Sequence, residues 1–161
     1  MNTIISVLES INKASLKVYL GNGEISELSV TLNQGLDIDA IEQIMPNLPT
    51  QYKELLTFSN GLCFFNSGDY TLYPLEDAIE YQKANDFNKN ILPIGYFLDE
   101  TILLNCAESE TEHYLYAGSS IMKDEFISLD MDLRSFLDKL LANNCNCFWL
   151  EKPVEKYYNF N

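Results

Sequence analysis

The sequence predicts an α+β fold, a mainly antiparallel sheet flanked by helices, in a single domain over residues 1–161. Three features predict it. The stretch Leu48 to Gly61 carries Leu48, Tyr52, Leu55 and Leu56 at helical spacing, with Pro49 in its first turn and Asn60-Gly61 as its stop. It feeds Leu62-Cys63-Phe64-Phe65, an apolar run with the pattern of a buried strand. Elsewhere, short alternating runs are divided by Gly, Asn, Ser and Asp turn residues, and a second amphipathic stripe closes the chain.

Taken in order, Ile4, Ile5, Leu8 and Ile11 have the spacing of a short opening helix. Residues 16–20 and 28–32 alternate around Gly21-Asn22-Gly23, so residues 16–32 are predicted to form one hairpin. Asp37 or Asp39 caps a helix bearing Ile38, Ile41 and Ile44 or Met45, which Pro46 ends. After the central helix, Asn66-Ser67-Gly68-Asp69 turns the chain between strands at 62–65 and 70–73. Pro74 opens a helix with Leu75, Ala78 and Ile79 inward, and Glu76 and Asp77 in its first turn suit the helix dipole. Residues 91–105 are strand-rich, with Pro93 and Gly95 opposing a straight central strand and Asp99-Glu100 placed at a turn. Residues 112–117 and 125–129 read as further strands. Leu133, Phe136, Leu137, Leu140 and Leu141 form the cleanest stripe, capped by Asp130 or Asp132 and stopped by Asn143-Asn144. Phe148-Trp149-Leu150 is expected to pack back onto the sheet, and for residues 152–161 docking and fraying are both open.

Composition narrows the function classes. A formal charge of −14 opposes direct binding to nucleic acid or anionic membrane, whose phosphates would repel it. The same charge favours a basic partner. No basic, apolar leader opens the chain and no apolar run reaches membrane-spanning length, so a reducing cytoplasm with free thiols is expected. Cys63 and Cys106 read as small buried hydrophobes.

The ordered set "LPTQYKELLTFSNGL", "YTLYPLEDA", "ILPIG" and "DLRSFLDKLL" resembles the SMI1/KNR4 family, also called the SUKH superfamily, over roughly residues 37–151. The helix and hairpin of residues 1–36 lie outside this match as an N-terminal elaboration. The chain departs from the family after "IG", where a D-G-like pair is usual and Gly95-Tyr96-Phe97-Leu98-Asp99-Glu100 stands instead. The resemblance implies an SMI1/KNR4-like fold and an architectural role for Leu48, Pro49, Tyr52, Asn60, Gly61, Tyr73, Pro74, Gly95 and Phe136. Many bacterial members are immunity proteins that bind and neutralise a cognate polymorphic toxin, frequently a nuclease. The alternative, drawn from eukaryotic relatives, is an intracellular regulatory or scaffolding module.

Little in the chain points to catalysis. His113 is the only histidine, and no nucleophile elbow accompanies it. Cys145-Asn146-Cys147 lacks the second ligand pair that structural zinc needs, and no phosphate loop or dinucleotide fingerprint occurs. No cofactor and no metal are expected. The carboxylates say more: between Lys89 and Lys123 there is no lysine or arginine, while Asp99, Glu100, Glu108, Glu110 and Glu112 fall inside that interval. If residues 108–112 form a strand, their three glutamates share one face. Such a row adds no stability, since like charges repel. On the residues alone the row reads first as a solvated loop, next as a docking patch for a basic partner and last as a catalytic pair; the family resemblance implies the docking patch, and with it occlusion of a basic protein toxin without turnover. The expected contact residues are Asp99, Glu100, Glu108, Glu110 and Glu112, with Asp69, Tyr70 and Tyr96 as neighbours. Self-association is left open.

Overall fold

A computed structural model describes residues 1–14, 16–20, 22–120, 124–151 and 153–161. The predicted α+β class holds, with five α-helices, a two-stranded sheet and a seven-stranded antiparallel sheet among the described residues. The elements are α1 (Asn2–Ala14), β1 (Lys17–Tyr19), β2 (Ile25–Glu27), β3 (Val30–Leu32), α2 (Ile38–Ile44), α3 (Thr50–Phe58), β4 (Leu62–Phe64) and β5 (Tyr70–Leu72). There follow α4 (Leu75–Ala84), β6 (Ile91–Phe97), β7 (Glu100–Asn105), β8 (Leu115–Ser119), β9 (Ile127–Ser128) and α5 (Leu133–Ala142). Strands β3 to β9 lie side by side in chain order. Among the described residues no helix is long and apolar enough to cross a membrane.

The predicted N-terminal hairpin is corrected in its pairing. β1 pairs with β2 alone, while β3 leaves the hairpin and joins β4, with Val30 opposite Phe64 and Leu32 opposite Leu62. The reason is burial: Val30 is 3% exposed against Phe64 at 0%, a better apolar partner than the exposed Tyr19. Gly21 of the predicted turn lies outside the described residues. On its free side, the amide of Asn12 donates to Val30 O at 2.7 Å and accepts from Val30 N at 2.9 Å. One side chain thus satisfies both backbone groups of an edge residue.

One face of the sheet holds the main core. Val30, Phe64, Leu72, Leu92, Phe97, Ile102, Leu104 and Leu115 meet apolar side chains of α1, α3 and α5. In α2 only Ile41 is buried, while Ile38 and Ile44 stand exposed. Pro49 and Pro74 are N-cap rather than first-turn residues, and neither supplies a side-chain cap. For α4 the acceptor comes from afar: Asn60 Oδ1 takes the Leu75 N–H at 2.8 Å and its Nδ2 donates to Glu76 at 3.0 Å. Asn60 is therefore not a left-handed stop for α3, whose C-cap is the extended Ser59. Gly61 does need its left-handed φ of +82°, and a Cβ there would lie 2.6 Å from Pro74 N.

At the start of α5 the cap is Asp132, which accepts from Ser135 N at 2.8 Å. Gln51 of α3 and Tyr114 complete it. Tyr114 donates its O–H to Gln51 Oε1 at 3.1 Å and accepts from Leu133 N at 3.0 Å, and Gln51 Oε1 also accepts from Arg134 N at 2.9 Å. Burial pushes the Tyr114 hydroxyl up to about 12. Gln51 Nε2 reaches Asp132 Oδ2 at 2.8 Å. Burial opposes ionisation of Asp132, but the Ser135 and Gln51 donors outweigh it and hold its carboxyl below the ordinary range.

β6 remains a strand despite Pro93 and Gly95, because a bulge between them absorbs the irregularity and sends Ile94 O to Tyr73 N at 2.8 Å. A Cβ on Gly95 would approach Leu72 Cδ2 and Thr71 O to 2.7 Å, so glycine there is a packing requirement. The second face of the sheet carries Ile91, Leu103, Tyr116 and Phe126 under Phe87, Tyr158 and Phe160. The C-terminal segment docks: Tyr158 pairs with Phe126, and Phe160 O accepts from Asn88 N at 2.9 Å. Trp149 packs at 2% exposure against Phe136 on the main core side.

Candidate protein-interaction surface

The expected contact residues divide into two groups at opposite ends of β7. At one end, the β4–β5 turn and the β6–β7 turn meet, with Leu98 N donating to Asp69 O at 3.0 Å. The β6–β7 turn is Leu98-Asp99, not Asp99-Glu100 as expected, and both residues are left-handed, with φ of 46° and 69°. This is the geometry the usual D-G pair would supply, here imposed on a leucine. Tyr96 donates to Asp99 Oδ1 at 2.7 Å. That hydrogen bond, with burial and the Asp99 charge behind it, raises the Tyr96 hydroxyl above its ordinary value. Glu100 is half-buried and accepts from Trp149 Nε1 at 3.1 Å. Burial, only partly offset by the indole N–H, raises its carboxyl. Tyr70 is corrected: at 8% exposure and edge-on to Phe65, it supports the turns from within and offers a partner little surface.

Glu108, Glu110 and Glu112 lie beyond the other end of β7, whose five residue-to-residue steps span roughly 17 Å. They do not form a strand face. Residues 106–108 make a single 3-10 turn, and Thr111 folds back, its N–H and Oγ1 bonding Glu108 O at 2.9 and 2.8 Å. Asn105 explains the break, since its side chain accepts from Ala107 N at 3.1 Å and starts a turn where a strand was expected. β8 accordingly begins at Leu115, not 112, and β9 spans only Ile127–Ser128. Glu108 accepts from Tyr116 Oη at 2.8 Å, while Glu110 and Glu112 are exposed.

None of these carboxylates is neutralised by the chain's own described cations. Among the described residues the ion pairs are Lys53–Glu42 at 2.6 Å and Arg134–Asp138 at 4.0 Å. None of β3 to β9 contains a lysine or arginine. His113 is exposed and its backbone N–H bonds Thr111 Oγ1. Cys106 and Cys145 are buried, their thiols pushed up by burial to about 11 and 12. Cys147 donates to Phe97 O, and burial with the nearby Glu100 and Asp99 charges holds it at about 12, which disfavours thiolate chemistry. Cys63, expected to be buried, is half-exposed on the second face of the sheet.

Sequence reasoning missed the aromatic surroundings. Tyr73 stacks on Tyr81 of α4 at 5.9 Å and 29°, and Leu98 projects at 40% exposure. Nothing in their spacing signals this, because the stack needs the end of β5 to meet a helix from the following segment.

These features define an α+β protein whose carboxylates, without an ion pair among the described residues, gather at two ends of a sheet with no lysine or arginine in β3 to β9. No protein-family model matches the chain. The chain is similar to the uncharacterized protein YnaB of Bacillus subtilis (strain 168), 29% identical over 126 residues that span 76% of this chain and 86% of that protein.

Proposed function

We propose that this chain is a non-catalytic cytoplasmic immunity protein that neutralises a cognate bacterial toxin by stoichiometric occlusion. The toxin is a basic protein, with a nuclease the type best fitted to this chemistry, because a nuclease must be cationic where it holds phosphate. The observation that carries the reading is the unpaired state of Asp69, Asp99, Glu100, Glu108, Glu110 and Glu112 on a chain of charge −14, where the described ion pairs lie elsewhere. Three of these carboxylates are held by Tyr96, Trp149 or Tyr116 donors. Such contacts fix their geometry and leave their charge available to a partner. The SMI1/KNR4 resemblance points the same way.

Co-expression with the toxin tests it. The chain is expected to protect cells from one particular toxin, with binding that weakens as salt rises. Charge reversal at Glu108, Glu110 and Glu112 is expected to weaken binding with the fold intact. An affinity indifferent to both salt and charge reversal would refute occlusion by acidic surface.

A further inference from the structure

We propose that the second face of β4, β5 and β6 is an arginine-reading surface, on which Tyr73, Tyr81 and Tyr96 receive guanidinium groups of a cationic protein. The inference rests on the reading of the chain as a binder of a basic partner and assigns that partner's contact to one surface.

Registered pairs place Thr31, Cys63, Thr71, Tyr96, Thr101 and Gly118 in one row across six strands. Their apolar neighbours along the strands, among them Val30, Phe64, Leu72, Phe97, Ile102 and Ala117, point to the opposite face and build the main core. The two ends of this row differ. Beyond Thr101, Phe126 lies over Gly118, where an added Cβ would come within 2.7 Å of its ring, and the Tyr158–Phe160 segment covers that half. From Thr31 to Tyr96 the residues are exposed or half-exposed, a span of three strand spacings or roughly 14 Å.

Tyr73 lies just past the end of β5, two residues from Thr71, and its N–H bonds Ile94 O, so it is a diagonal neighbour of Tyr96 on the same face. Its ring stacks on Tyr81, and Asp77 lies one helical turn before Tyr81 on α4. Asp99 is bonded to the Tyr96 hydroxyl, and Asp69 lies in the adjoining turn. The result is a strip of three tyrosines with carboxylates at both ends. Directly opposite Tyr96, Thr101 is 1% exposed, and its hydroxyl oxygen has no hydrogen-bond partner among the described residues.

Charge complementarity selects the occupant. The sequence has no lysine or arginine between Lys53 and Lys83 or between Lys89 and Lys123, which covers every strand from β4 to β8. Phosphate-bearing ligands are repelled here. A guanidinium suits the strip better than an ammonium, because it is planar, stacks on aromatic faces and forks onto carboxylates.

The test is a backbone NMR titration of the intact protein with tetra-arginine, using tetra-lysine and tetra-glutamate as comparison peptides. Tetra-arginine is expected to shift Thr71, Tyr73, Tyr81, Tyr96 and Asp99 saturably and to bind several-fold tighter than tetra-lysine. Tyr81→Ala and Tyr96→Ala should each weaken it about fivefold. Tyr96→Phe keeps the ring and should retain most of the affinity, which separates ring stacking from loss of fold. Shifts centred on Glu110 and Glu112, or equal binding of both cationic peptides, would overturn the assignment. Toxin protection that is lost with the Glu108, Glu110 and Glu112 reversals but unmoved by Tyr81→Ala and Tyr96→Ala would also overturn it, leaving the immunity reading intact. Tetra-arginine seated on the tyrosines with no toxin neutralised would uphold the surface and sink the immunity reading.

Discussion

Tyr114→Phe is a near-isosteric probe of the cap that joins α3 to α5. The wild-type hydroxyl is 2% exposed by residue and serves two partners, donating to Gln51 Oε1 and accepting from Leu133 N. Removing it strands the Leu133 N–H at the first turn of α5, while Gln51 Oε1 keeps the Arg134 N–H and Asp132 keeps Ser135. A buried donor left without a partner costs about 1–3 kcal/mol, and little cavity cost is added because the ring stays. For a chain of this size, about 2 kcal/mol lowers Tm by roughly 4–8 °C. Gln51→Ala removes the second member of the network, so the double variant should cost less than the two single losses summed, by about 0.5–3 kcal/mol. Urea unfolding followed by the fluorescence of Trp149, the single tryptophan, measures all four species. A Tyr114→Phe loss under about 0.5 kcal/mol, below the range for an orphaned buried donor, would refute the network, as would strict additivity.

Other outcomes follow from single contacts. Asn60→Ala removes the acceptor for Leu75 N and should cost about 1 kcal/mol by denaturant melts. Asn60→Asp keeps that acceptor but sets a charge beside Glu76, so it should fall between wild type and Ala at low salt and approach wild type at high salt. Leu98→Asn relieves a left-handed leucine and should stabilise by about 0.5–1 kcal/mol, read as a rise in Tm. For Glu100→Gln the effect is a pH profile. The folded state holds the Glu100 proton more tightly than the unfolded chain does, so wild type keeps its full stability below the unfolded carboxylate value and loses part of it as pH rises through the raised folded value. Thermal melts should therefore coincide for the two proteins near pH 3.5 and favour the Gln variant increasingly toward pH 7.

Helices were the most legible part of the chain, since α1, α3, α4 and α5 each announce themselves by an apolar stripe that one short window contains. What the window could not contain was pairing. β3 alternates as well as β1 does, and only the burial of Phe64 decides which neighbour it takes. The turn at 106–112 was hidden for a local reason, because alternating Glu residues mimic a strand while Asn105 and Thr111 tie the backbone into a turn. Asn60 illustrates the limit most sharply: its residue type signals a helix end, but the helix it serves is the next one, 15 positions on. For the candidate surface, the acidic residues were visible in the sequence, and their separation into two ends was not. Tyr73 and Tyr81 come together only through tertiary pairing.

Asn12 has a wider consequence than the strand it touches. By engaging Val30 in both directions, its amide imitates one rung of a neighbouring strand and blocks the open margin of the sheet at that residue. At the far margin, Tyr158 does the same for Phe126 with main-chain atoms. A visiting chain that tried to lengthen this ladder would first have to evict one of these two plugs. Recognition by such a molecule is steered toward its broad sides and its turns, where side chains rather than peptide groups do the selecting.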